Sequence, residues 1–437
     1  MKWLIRGGRV IDPQNQVDDL MDIYIHQGKI LDLQPVPPKR NATTFSDFRV
    51  IPAEGLVITP GLIDMHTHLR EPGYEYKETI LTGTQAAVAG GFTAVACMAN
   101  TLPVNDTQAV TEYILHKARE ARLARVFPIG AISPGLKGEA LAEYGELKNA
   151  GVVALSDDGH PVMNSQLMRR AMEYARAFEL PIISHCEDLF LSRPGVMHEG
   201  PTSTWLGLHG IPSAAEETMV YRDIQICQMT QNPLHIAHVS TAASVQLVRD
   251  AKKKGLPVSA ETAPHYFSLT EEAVIGFDTQ AKMNPPLRTK EDLWAVQKGL
   301  KDGTIDVIAS DHAPHSPLEK EVEFDLAAMG IVGLETTLPL TLNLMHLGIL
   351  TFPQAIAKLT QGPARILKLN GFGGLQRSGP AHLTIIDPEL EFQVDIHSFR
   401  SKSKNSPFHG WKLKGQAVLT MVEGRIVYNQ MAPTSDL

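Results

Sequence analysis

Side chains able to bind a cation or carry a proton stand just past short apolar runs of this chain: His66 and His68, Asp157 and Asp158, His185, His238, and Asp311 with His312. Imidazole nitrogen and carboxylate oxygen are the donors that borderline-soft divalent zinc favours. His66 and His68 are alternate residues, which point the same way along a strand, so both imidazoles can meet one ion. His66, His68, His185 and His238 with two carboxylates exceed what one tetrahedral zinc needs. They suit two ions about 3.5–4 Å apart, bridged by a carboxylate and a hydroxide. Asp157 and Asp158 face opposite ways in an extended chain, so one of them is expected to bridge, and the residues alone do not choose between them. Each piece also has an ordinary reading: a hydrogen-bonded core histidine, a turn at Asp157-Asp158-Gly159, a helix cap at Asp311. Their joint recurrence after successive apolar runs carries the metal reading.

Those apolar runs define the elements that must do the positioning. Expected strands are Ile58–Met65, Ala94–Met98, Val126–Ile132, Val152–Leu155, Pro181–Ser184, Leu234–Ala237, Val258–Ala260 and Val307–Ala309. Amphipathic helical stretches lie between them, among them Gln166–Phe178, Ala214–Gln228 and Ala243–Lys254. Alternating β and α with eight strands predicts an α/β fold, a (β/α)8 barrel, and no glycine-rich phosphate loop follows any strand to suggest a doubly wound nucleotide-binding sheet. Barrel enzymes carry their chemistry where the strands end, which is where these residues fall. The long connection Ala263–Thr304 is expected to contribute to that face, and Asp311–Gly333 reads as a lid excluding water.

Both chain ends read as short strands: Trp3–Ile5, Arg9–Ile11, Met21–Ile25 and Lys29–Leu33 at one, Leu383–Ile386, Ala417–Val422 and Arg425–Tyr428 at the other. The expected organisation is a small β-sandwich domain built from residues 1–57 and 371–437 around a barrel of residues 58–370. With 437 residues, 43% of them hydrophobic and 20% charged, the chain can build a sizeable core. A net charge of −8 with no basic stripe argues against nucleic acid. No apolar run approaches the ~20 residues of a membrane span. Charge and glycine interrupt the N-terminal Lys2-Trp3-Leu4-Ile5-Arg6 before a secretory h-region forms, and three cysteines without paired spacing suit reduced thiols. A cytoplasmic protein is expected.

Gly61-Leu62-Ile63-Asp64-Met65-His66-Thr67-His68-Leu69-Arg70 resembles the first-strand signature of the amidohydrolase superfamily in its dihydroorotase form. Further dihydroorotase-like blocks are Met98-Ala99-Asn100-Thr101, Ser156-Asp157-Asp158-Gly159, Ser184-His185-Cys186-Glu187-Asp188, Lys282-Met283-Asn284-Pro285-Pro286-Leu287-Arg288 and Ser310-Asp311-His312-Ala313-Pro314-His315. The resemblance runs to Asn405-Ser406-Pro407-Phe408 and is closest to the longer, bacterial (type I) subgroup. Ala99 stands where the family commonly has proline, Gly362 where it often has asparagine, and Tyr266 in place of a second histidine after His265.

What the resemblance implies is a zinc-dependent dihydroorotase, reversibly hydrolysing dihydroorotate to N-carbamoyl-aspartate in de novo pyrimidine biosynthesis. It implies two zinc ions held by His66, His68, His185, His238 and Asp311, with an aspartate replacing the carbamylated lysine common among cyclic amidohydrolases. Alignment backwards from His185 selects Asp158. Asp311 is expected to act as base and then acid. A substrate carboxylate calls for a fixed cation, and Arg70 offers a planar fork two residues beyond His68, expected on the same strand face; the resemblance adds Asn100 and His315 to that pocket and Asn284 to ring recognition. Expected partners are the small-molecule substrate, a second copy of the chain and aspartate transcarbamoylase. Alternative readings are a dihydropyrimidinase- or allantoinase-like hydrolase, which usually has the bridging lysine and lacks the Arg70–His315 pairing, and a metal-free scaffold for the transcarbamoylase, which would have lost ligands that this chain keeps.

Overall fold

The computed structural model describes residues 2–36 and 47–431. Its first five strands are β1 (Lys2–Asp12), β2 (Val17–His26), β3 (Lys29–Pro35), β4 (Arg49–Pro52) and β5 (Val57–Pro60). There follow β6 (Leu62–Thr67), β7 (Phe92–Cys97), β8 (Arg125–Gly130), β9 (Ala154–Leu155), β10 (Ile182–Ser184), the short pair β11 (Met197–His198) and β12 (Gly210–Ile211), β13 (Leu234–Ile236), β14 (Val258–Thr262) and β15 (Val307–Ile308). The last are β16 (Leu383–Gln393), β17 (Lys412–Val422) and β18 (Arg425–Asn429).

Strands β6, β7, β8, β9, β10, β13, β14 and β15 pair in that order, all parallel. The two outermost meet at their C-terminal ends, where the His68 N–H donates to the His312 carbonyl at 2.8 Å and Thr67 bridges His312. The expected (β/α)8 barrel is therefore present and nearly closed. Side chains alternate on its strands. Ile63 and Met65 join Ala94, Ala96, Ile129, Ala154, Ile183, Ala237 and Val307 inside, whereas Leu62, Val95 and Leu155 face the surrounding helices. Helix Ser165–Ala177 shows why those helices sit as they do. Asn164 caps it by accepting from the Gln166 and Leu167 N–H groups, and Met168, Ala171, Met172 and Ala175 form one buried stripe. No described helix is long and apolar enough to cross a membrane.

A second sheet unites the two ends of the chain in the order β18-β17-β16-β5-β1-β2-β3, with β4 on β1. Two expectations about strand limits change. Trp3–Ile5 and Arg9–Ile11 are one strand whose register shifts between Ile5 and Gly8, with Gly7 at φ 75° in the left-handed region that only glycine enters freely. Ile58–Met65 is two strands rather than one. Val57–Pro60 pairs with β16 and β1, the chain turns at Gly61, and Leu62–Thr67 enters the barrel. Gly61 is packed so tightly that an added Cβ would lie 2.1 Å from the Thr93 hydroxyl oxygen.

Candidate functional site

Six residues from five strand ends converge on the barrel mouth. His66 closes β6, His68 lies just beyond it, and Asp158, His185, His238 and Asp311 follow β9, β10, β13 and β15. His238 and Asp311 have φ of 34° and 48°, a region costly for side chains with a Cβ and typical of functional positions. Asp158 is central. Its Oδ1 is 3.4 Å from His66 Nε2, 3.5 Å from His185 Nδ1 and 3.6 Å from His238 Nε2, while its Oδ2 is 3.4 Å from His68 Nε2. Asp311 Oδ1 lies 3.2 Å from His68 Nε2 and 3.5 Å from His66 Nε2. His185 Nδ1 and His238 Nε2 are 2.8 Å apart.

This donor set fits divalent cations. His66, His68 and Asp158 form one group with ligand atoms within 4.8 Å of one another; Asp158, His185 and His238 form another. All are buried, and His66 Nε2 and Asp158 Oδ1 make no hydrogen bond, a costly arrangement for polar atoms unless something else occupies the space between them. Burial pushes the Asp158 and Asp311 carboxyls up, but the facing imidazoles, His66 foremost, outweigh it and hold both well below the usual carboxylate range. Both are thus ionised near neutral pH, the state a cation ligand needs.

The outer nitrogens of these imidazoles are held in turn. His66 Nδ1 is 2.6 Å from Glu261 Oε1 at the end of β14, and the other Glu261 oxygen lies 3.2 Å from His235 Nε2. Burial opposes ionisation of Glu261, yet His66 and His235 bring it down to about 2. His68 Nδ1 meets Asn100 Oδ1 at 2.9 Å, and His185 Nε2 meets Glu187 at 3.0 Å. Glu187 also accepts from Asn284 Nδ2 at 2.8 Å. Buried Asp64 accepts the N–H groups of His66 and Ser310, tying the first barrel strand to the last. Asp157 turns away from the cluster and accepts the N–H groups of Ile132 (2.7 Å) and Ser133 (3.1 Å). His312 also points elsewhere, with Nε2 at 3.3 Å from Glu78.

A cavity of about 230 Å³ opens over the cluster, and Arg70, Asn100, Asn284 and His315 share its wall with Met329 and Gly330. Arg70 reaches it by a route the residue spacing did not predict. The strand ends at Thr67 and Arg70 has φ 63°, so its side chain arrives from a turn instead of from the His66–His68 face of a continuing strand. Its Nε donates to the Pro314 carbonyl (3.2 Å) and its Nη2 lies 3.4 Å from His315 Nε2, neither a carboxylate. Burial, then the charges of Arg70 and Lys77, push His315 down to about 2, so it stays neutral beside the guanidinium. One wall thus presents ionised carboxylates among imidazoles and the other a cation with no carboxylate hydrogen-bonded to its fork, an arrangement suited to hydrolysis of a small anionic molecule.

Glu261, Glu187 and Asp64 were not among the residues singled out from sequence. The signal for Glu261 was a lone acid continuing the apolar run Val258–Ala260; Glu187 and Asp64 lay inside blocks already noted for their histidines.

Comparison with known proteins adds the following. A family model described as Dihydro-orotase-like matches residues 55–244. A protein named Dihydroorotase from Syntrophotalea carbinolica is 56% identical over 432 residues, covering 98% of this chain and 99% of its own. Another of that name, from Geobacter metallireducens, is 54% identical over 430 residues, 98% of this chain and all of its own. Among solved structures, L-hydantoinase (dihydropyrimidinase) from Arthrobacter aurescens superposes with a TM-score of 0.87 over 98% of this chain and 96% of its own, at 24% identity, a likeness of fold.

Proposed function

The chain belongs to the dihydroorotase family, and from that premise we propose that it is a zinc-dependent dihydroorotase, interconverting dihydroorotate and N-carbamoyl-aspartate in cytoplasmic de novo pyrimidine biosynthesis. One observation carries the reading: four imidazoles and two ionised carboxylates converge beneath a cavity whose far wall bears Arg70. His66, His68 and Asp311 would hold one cation, His185 and His238 the other, with Asp158 shared. Cations held there supply carbonyl polarisation and lower the pKa of water from 15.7 toward about 7.

The chain's own groups do the rest. Arg70 grips the substrate carboxylate with its fork, a geometry lysine cannot copy. Asn100 and His315 complete that pocket, and Asn284, its amide fixed by Glu187, addresses the ring. Asp311, ionised and facing the cavity, accepts the proton of the attacking water and returns it to the departing ring nitrogen, serving as base and then acid. In the cyclising direction the same proton moves backwards.

The test is carbamoyl-aspartate cyclisation by zinc-loaded protein beside Asp311→Ala, with metal analysis of both. Turnover with about two zinc per chain, falling at least ~10³-fold in the variant, is expected. Preference for dihydrouracil, whose ring bears no carboxylate, would refute the substrate; a folded protein that retains no zinc would refute the metal.

A further inference from the structure

The loop that follows β15 is built inside out. Leu318 and Leu326 are 89% and 74% exposed, while Lys320 between them is 1% exposed. The Lys320 ammonium donates to three backbone carbonyls: Ala328 at 2.8 Å, Gly330 at 3.2 Å and Lys282 at 3.3 Å. Lys282 belongs to the loop after β14, is equally buried, and reaches the other way, to the carbonyls of Phe324 (2.7 Å) and Asp325 (3.0 Å). The Gly330 N–H completes the exchange by donating to the Lys282 carbonyl at 2.9 Å. The Lys282 ammonium is thus spent on carbonyls of the opposite loop, while the Lys320 ammonium ties its own loop at Ala328 and Gly330 to the Lys282 carbonyl across the gap. Buried carbonyls in a tight excursion need donors that the local backbone cannot supply, and an ammonium brings three on one atom.

The cavity wall depends on this exchange. Asn284 follows Lys282 by two residues, Gly330 is itself a Lys320 acceptor and Met329 lies between it and Ala328; all three line the cavity. His315 is carried with them, its Nε2 donating to the Met329 carbonyl at 2.9 Å. Neither lysine lines the cavity itself. We infer that Lys282 and Lys320 are positioning residues, forming a reciprocal clasp between two loops at the barrel mouth that sets the substrate-facing wall of Asn284, His315, Met329 and Gly330. Asn405 anchors the stem separately, donating to the Ala313 and Gly330 carbonyls at 3.0 Å each. Loss of the clasp therefore loosens the wall and spares the barrel.

Only the kinetic arm of the test rests on the proposed reaction. In Lys320→Met and Lys282→Met, which keep length and remove donors, KM for carbamoyl-aspartate rises about tenfold while kcat stays within about threefold. The double variant is no worse than about the worse single, because the two groups act as one unit. Hydrogen exchange read by mass spectrometry needs no substrate: residues 313–330 lose roughly tenfold protection in either variant while the barrel strands keep theirs. KM within about twofold of the parent, together with unchanged protection, overturns the clasp. Should both variants fail to fold, the parent protein decides. A Gly330 amide, bonded to the Lys282 carbonyl, that exchanges as freely as an unstructured chain refutes it, and slow exchange there upholds it.

Discussion

Which nitrogen of His66 faces the site depends on what binds the other. Glu261 sits 2.6 Å from Nδ1 and is itself braced by His235, which leaves Nε2 aimed at Asp158 and Asp311. Such carboxylate–imidazole pairs fix the tautomer and raise ligand basicity, and losing one typically lowers metal affinity by about 10–100-fold. Glu261→Ala should show that loss in chelator competition, with the thermal transition of the metal-free protein changed far less; a folded variant that holds metal as tightly as the parent rejects this role. Arg70 makes a separable contribution. On the proposed reading its fork grips a carboxylate that is the same in ground and transition states, so Arg70→Lys should raise KM about tenfold with kcat nearly constant. A fall confined to kcat would mean that Arg70 acts on the reacting bond instead.

Among the elements, the passage from β5 to β6 carries the most consequence for so short a segment. The Gly61 N–H donates to the His382 carbonyl at 3.0 Å, and no Cβ fits against Thr93. Gly61→Ala should destabilise by about 1–3 kcal/mol through overpacking, read as a lower thermal midpoint. This junction was also illegible in the sequence. Ile58-Thr59-Pro60-Gly61-Leu62-Ile63 reads as one apolar run, and only its partners, β16 on one side and β7 on the other, divide it. The barrel strands were legible because each is a buried apolar run that stops at a polar residue, and the same stops point to His66, His185, His238 and Asp311. Glu261 escaped because β14 continues two residues past Ala260, beyond where apolarity ends. Arg70 was placed on a strand that had already ended, since nothing in the local pattern announces the left-handed turn after Leu69.

Over the whole molecule, the barrel floor meets the terminal sheet at His382, which stacks on Phe372 at 4.3 Å and leaves its Nδ1 without a hydrogen bond. Burial, with a smaller push from Arg125, lowers it from 6.5 to about 4. The folded form therefore binds fewer protons than the unfolded one between those values. Stability from this site is complete above pH 6.5 and is lost as pH falls toward 4, by something on the order of 3 kcal/mol. His382→Phe should flatten that part of the unfolding-versus-pH curve relative to the parent; parallel curves would show that His382 does not contribute. The sheet over this floor has one further consequence. Its central strand β5 pairs with β16, whose partner residues lie some three hundred positions later, Leu383 opposite Pro60. During synthesis β5 therefore lacks its β16 partner until the barrel strands between them have been made. Because β5 runs directly into the strand that bears His66, the barrel mouth is tethered through β5 to β16, a strand made some three hundred residues later.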